Sequence, residues 1–147
     1  MRKKYTLQDY LDIRTEEEKI TIEESDKRLR STLSMNCARQ EIDSLEIDYP
    51  LDNIINLRCG INNLTSLKGI LNFPNLEFLI CSDNELPLMR HLNTSNIHLI
   101  SDINKLNNLK KVFYTTESNY SGCNDIKELK KIITLLTRKN KIESILK

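Results

Sequence analysis

Hydrophobic side chains in the middle of this chain recur every 22 residues, while those near its ends recur at helical spacing. Three segments align without gaps: MNCARQEIDSL at 35–45, LRCGINNLTSL at 57–67 and LICSDNELPLM at 79–89. Met35, Leu57 and Leu79 share one column, Ile42, Leu64 and Leu86 a second, and Leu45, Leu67 and Met89 a third. Cys37, Cys59 and Cys81 also coincide, as do the amides Gln40, Asn62 and Asn84. A fixed period of this length marks a repeat architecture, in which a unit buries its apolar face only against its neighbours.

Beyond residue 89 two registers compete. LISDINKLNNL (99–109) places Leu99, Ser101, Asn104, Leu106 and Leu109 in the same columns, 20 residues after Leu79. INKLNNLKKVFY (103–114) instead matches ILNFPNLEFLIC (70–81) at Ile103, Leu106, Asn108, Leu109 and Val112. Both hold if the fourth unit is shortened and its return leads directly into a strand near 110–114.

At the C-terminal end, Ile126, Leu129, Ile132, Ile133 and Leu136 fall on one face of a helix. Asp125 and Glu128 have the form of a capping box before it, and Asn140 is a point of termination or interruption. At the N-terminal end, Thr6 to Asp9 starts a helix that uses Leu7, Tyr10 and Leu11. The charged stretch from Glu16 to Arg30 is read as a second helix, with Leu29 toward the first repeat. An eroded earlier repeat around Leu11, Ile13 and Ile20 is the alternative, since these lie 22 residues before Leu33, Met35 and Ile42.

The pattern L-x-L/C-x-x-N-x-L-x-x-L resembles that of leucine-rich repeats, over roughly residues 32–115. It is similar to the 22-residue class found in protein-phosphatase regulatory subunits. The resemblance implies an α/β fold, a leucine-rich-repeat solenoid with a short parallel sheet of four to five strands and helical caps. One domain is expected, with an N-terminal cap over 1–31, repeats over 32–115 and a C-terminal helical cap over 116–147. It implies protein–protein interaction through the concave strand face, or, alternatively, regulation of an enzyme such as a phosphatase. Similar short repeat proteins occur in AT-rich genomes of mimivirus-like giant viruses and of protists. The chain shares that bias: Ile, Asn, Lys and Leu abound and Ala38 is the sole alanine. A viral protein acting in host cytoplasm fits this resemblance.

Alternation along each strand turns Leu57 and Cys59 inward and Asn56, Arg58 and Gly60 outward. The amides at 62 and 84 sit where the chain leaves the strand, placed to satisfy backbone groups that have left the ladder. The middle outward row then reads Asn36, Arg58, Ile80, Ile100 and Phe113, and beside it run Ser34, Asn56, Phe78, His98 and Lys111. The first units present polar residues and the later ones an apolar cluster. Exposed apolar patches, aromatics and Arg are favoured at interaction sites, so this face is the candidate partner-binding surface.

Composition narrows the alternatives. Charged residues are 29% of the chain with a net charge of +1, which gives no general reason for a nucleic-acid or anionic-membrane partner. The C-terminal segment is the exception: Lys127, Lys130, Lys131, Arg138, Lys139, Lys141 and Lys147 face Asp125, Glu128 and Glu143, a net +4. A solvated helix face accounts for it, with a weak nucleic-acid contact as the sharper reading. There is no apolar run of 18 residues, and the opening MRKKYTLQDYLDIRTEEEK lacks the apolar stretch of a secretory signal. A cytoplasmic location is expected, and the nucleus fits equally.

The stacked cysteines have no C-x-x-C or His/Cys ligand spacing and read as small core fillers, with no metal or cofactor expected. Cys123 precedes the last helix at an exposed position. His91 and His98 lack a nucleophile motif, SGCND (121–125) is not a nucleophile elbow, and Gly60, Gly69 and Gly122 build no phosphate loop. An enzyme or a small-molecule site is therefore not expected.

Overall fold

Met35, Leu57 and Leu79 meet as adjacent rungs of one sheet in the computed structural model, which describes residues 2–87, 91–113, 123–124 and 126–146. The strands β1 (Ser34–Asn36), β2 (Asn56–Arg58), β3 (Phe78–Ile80) and β4 (Lys111–Phe113) lie side by side in chain order, all parallel. A short β5 (Cys123–Asn124) then pairs antiparallel with β4. With helices at both ends, the architecture is α/β around a four-stranded parallel sheet.

The four parallel strands are three residues long, and the central residue of each is buried. Cys37, Cys59 and Cys81 follow at the strand ends, and all three are buried. Ile42 and Leu64, then Leu45 and Leu67, line the same interior, joined by Ile54, Ile70, Phe73 and Leu76 on the return path. Met89, the expected third member of its column, lies outside the described residues. Gly60, expected outward, is buried, because Ser82 and Ile80 cover it; an added Cβ would stand 3.2 Å from the Ser82 carbonyl.

The bend after each strand is held by an amide. The Asn62 Oδ1 accepts hydrogen bonds from the Gln40 and Ile42 amides at 3.0 and 3.1 Å, and its Nδ2 donates to the Cys37 and Cys59 carbonyls. Asn84 does the same one unit on, accepting from the Leu64 amide and donating to the Cys59 and Cys81 carbonyls. Each amide therefore ties its own bend to the preceding one. Gln40 has no earlier bend to serve; its side chain is exposed and donates to the carbonyl of nearby Ala38.

The step from β3 to β4 departs from the period. Val112 pairs with Leu79, 33 residues later, where the first two steps take 22. The register of 103–114 against 70–81 is the one adopted, with Ile103, Leu106, Leu109 and Val112 all buried. Residues 97–105 form two short 3-10 helices, Ile97–Leu99 and Ser101–Lys105, instead of a strand.

Helix α1 (Leu7–Glu17) starts at Thr6, whose Oγ1 accepts from the Asp9 amide while the Asp9 carboxylate accepts from the Thr6 amide. Leu7 and Leu11 are buried against the first bend. Lys19 takes a positive φ of 53° and ends the helical path. A second capping box, Thr21 with Glu24, then starts α2 (Ile22–Ser31), so the second helix begins at Ile22 and not at Glu16. The stretch around Leu11 and Ile13 is helical, and the alternative of an eroded repeat is set aside.

Helix α3 (Ile126–Leu146) packs through Leu129 and Ile133 onto the 3-10 helices. Asn104 donates to the Lys130 carbonyl and the Thr134 hydroxyl, and Lys130 Nζ donates to the Leu106 carbonyl at 2.8 Å. The helix runs through Asn140 without interruption. Its expected cap residue Asp125 lies outside the described residues. No helix among the described residues is long and apolar enough to cross a membrane.

Candidate functional site

Strand register assembles two outward rows across the parallel sheet. One is Ser34, Asn56, Phe78 and Lys111; the other is Asn36, Arg58, Ile80 and Phe113. Seven of the nine sequence-selected residues, Asn36, Asn56, Arg58, Phe78, Ile80, Lys111 and Phe113, thus share one face. Asn36, Arg58 and Lys111 are exposed, and Asn56, Phe78, Ile80 and Phe113 are half-buried. On β1 and β2 the polar side chains tie to their surroundings: Asn56 Nδ2 donates to Ser34 Oγ at 3.2 Å, and Asn36 Oδ1 accepts from the Ala38 amide at 3.1 Å. The face is polar over β1 and β2, and over β3 and β4 the half-buried Phe78, Ile80 and Phe113 gather beside the exposed Lys111.

His98 and Ile100 are corrections. Ile100 is fully buried between the two 3-10 helices, and His98 is exposed on the first of them, away from the strands. The cause is local. Asn93 Oδ1 accepts from the Ser95 and Asn96 amides, and Asn96 Oδ1 accepts from the Asn93 amide, so the side chains curl the backbone before it can extend. His98 instead lines a cavity of about 210 Å³ together with Ser66 and Asp102. The Ser66 hydroxyl accepts from the Lys68 amide at 3.3 Å, and Asp102 pairs with Lys105 at 3.5 Å.

Sequence reasoning missed a groove of about 590 Å³ that continues the face past β1. The helices α1 and α2 form one wall and Ser34, Met35 and Asn36 the other. Within it Glu18 binds Arg14 at 2.8 Å and Arg28 at 3.0 Å, and the Arg14 hydrogen bond holds the Glu18 carboxyl below the usual carboxylate range. The Thr15 hydroxyl donates to Ser25 Oγ at 2.8 Å and joins the two helices. The paired capping boxes, Thr6-x-x-Asp9 and Thr21-x-x-Glu24, were the available signal for two helices with a cleft beside them.

The buried thiols are unsuited to nucleophilic work. Burial pushes Cys37 and Cys81 up to about 12 and Cys59 well above its ordinary value, so all three stay protonated. Among the described residues no three His, Cys, Asp or Glu side chains converge as metal ligands. The side chain of Cys123 lies outside what is described.

These observations define an α/β chain whose four-stranded parallel sheet offers an open face between terminal helices. Comparison of the chain with family models, with curated proteins and with solved structures yields no match.

Proposed function

We propose that the chain is a leucine-rich-repeat solenoid that binds a partner protein through the outward face of β1 to β4. The observation that carries the proposal is the register that aligns Arg58 with Ile80 and Phe113, and Asn56 with Phe78. A guanidinium beside a half-open apolar cluster supplies the anchors that protein interfaces use most. The inward residues hold the sheet, which leaves the outward ones free for recognition. The partner is a protein surface with an apolar patch and an acidic group to meet Arg58.

Affinity capture with wild type and two variants, followed by mass spectrometry, tests this. Arg58→Glu reverses an exposed charge, and Phe78→Ser with Phe113→Ser removes the apolar anchors. Proteins retained by wild type and lost from both variants, with the circular-dichroism melt of Arg58→Glu unchanged, are the expected outcome. A retained set indifferent to both variants refutes the face as the binding surface. A phosphatase among the lost proteins identifies the regulatory-subunit form of the same reading.

A further inference from the structure

We propose that the outer half of α3 docks into the groove between α1 and α2 of a second copy of this chain, joining copies head to tail. Every residue from Thr137 to Leu146 is exposed, so roughly 15 Å of helix extends without being covered by the described residues. Most helical stability in proteins comes from packing of an amphipathic face, and the described residues give this half of α3 none, so a covering surface would add what it lacks. From Leu135 outward the helix is also amphipathic. Leu135, Ile142 and Leu146, spaced by seven and four residues, share one helix face and are 55%, 58% and 81% exposed. Arg138, Lys139 and Lys141 flank them, with Glu143 as the acid of that stretch.

The groove on the other end of the molecule has the opposite character. Leu11, Leu29 and Tyr49 line a space of about 520 Å³ between α1 and α2. Its charged lining consists of Asp12, Glu16, Asp26 and Asp48. Asp26 already accepts from Arg30 at 3.0 Å, and Arg30 lies 5.1 Å over the Tyr49 ring. Glu16 and Asp48 have no ion pair among the described residues and are exposed. Ile22, 83% exposed at the lip, extends the apolar floor outward. An apolar cleft rimmed by carboxylates complements an apolar stripe flanked by cations.

A second copy fits better than the obvious rivals. Two α3 helices facing each other would set their basic flanks together, a like-charge arrangement that costs energy. Within one copy, α3 packs at the β4 end of the sheet and the groove lies at the β1 end, so the helix does not fill its own groove. The contact joins two different patches and therefore generates an open series unless rotation closes it.

Sedimentation of the full chain across a concentration series tests the proposal. Weight-average mass is expected to climb past twice the monomer mass and to fall back when salt screens the ionic rim. Two variants each break one half: Ile142→Glu with Leu146→Glu in the helix, and Glu16→Lys with Asp48→Lys in the groove. Each alone should be monomeric, with its circular-dichroism melt retained. An equimolar mixture should give a dimer and stop there, because one intact helix meets one intact groove. Wild type that stays monomeric throughout overturns the proposal, and so does association that survives in either variant. It is equally overturned if α3 variants lose only binding to anionic vesicles or to nucleic acid while the mass of wild type never changes.

Discussion

Replacing Asn62 with alanine should destabilise the protein by about 4 kcal/mol, more than an average buried polar substitution. Asn62 is 7% exposed and its amide serves two consecutive bends. Its oxygen accepts from the Gln40 and Ile42 amides, and its nitrogen donates to the Cys37, Cys59 and Gly60 carbonyls at 3.0, 2.9 and 3.4 Å. Ile42, Cys37 and Cys59 are fully buried, so water cannot readily replace the lost partner. A buried group left unpaired costs about 1–3 kcal/mol. Two or three such groups, with the exposed Gln40 end rehydrated, give roughly 4 kcal/mol. That is a large share of the roughly 5–15 kcal/mol by which domains are stable. Equilibrium urea unfolding measures the loss, with Asn63→Ala as the matched control. The Asn63 side chain is half-buried and makes one long bond, 3.4 Å to the Glu41 carbonyl, and its loss should fall within about 0.5 kcal/mol. Asn62→Ala lying within about 1 kcal/mol of wild type, at unchanged m-value, would refute the bend-to-bend role.

Two further perturbations probe other layers of the structure. Glu46 accepts from Ser44 Oγ at 2.7 Å and pairs with Lys68 at 2.9 Å and Lys4 at 3.3 Å, bonds that lower its carboxyl to about 2. A depressed folded-state value means the stabilisation is complete above the unfolded value near 4.5 and is lost as pH falls toward 2. The stability gap between wild type and Glu46→Gln should therefore be flat above about pH 5 and close below it, and stay under about 1 kcal/mol because both lysines are exposed; a gap that widens on acidification contradicts the pairing. In a Cys123→Ser background, the buried Cys37, Cys59 and Cys81 should react with an aromatic disulfide reagent only as fast as the chain unfolds. Rapid labelling of the native protein would show that the thiols are not enclosed.

Periodicity was readable where one unit sits directly on the next. Leu57, Cys59, Leu64 and Leu67 occupy the columns that the 22-residue spacing predicts, because a parallel sheet forces equivalent residues of neighbouring strands into register. The amides were legible by position but not by direction. Gln40 matches Asn62 and Asn84 in the alignment, yet an amide here bonds backward to the preceding bend, and the first unit has none behind it. The second N-terminal helix was misplaced for a different reason. Charged residues run on both sides of Ile20, Thr21 and Ile22, so the stretch from Glu16 to Arg30 resembles one polar helix, although the positive φ of Lys19 and the Thr21 cap break it there.

The stretch between β3 and β4 shows what periodicity cannot see. Ile97, Ile100 and Ile103 recur every three residues, which suits 3-10 turns packed on a core, whereas a strand would need its buried positions at every second residue. The column alignment of 99–109 counted apolar matches and ignored that spacing, and so it put Ile100 on the outward face. The Asn93 to Asn96 hydrogen bonds join residues only two or three apart and hold this stretch in turns, out of the extended form that pairing with β3 needs. Their closure entropy is small, while pairing with β3 must span the whole insertion. The strand partner of β3 is consequently the next segment able to extend, Lys111–Phe113, and the Phe113 carbonyl takes the Cys81 amide at 2.9 Å. On the outward face Phe113 therefore stands opposite Ile80 where Ile100 was expected, and Lys111 opposite Phe78 where His98 was expected, so that end carries an aromatic ring beside an exposed ammonium.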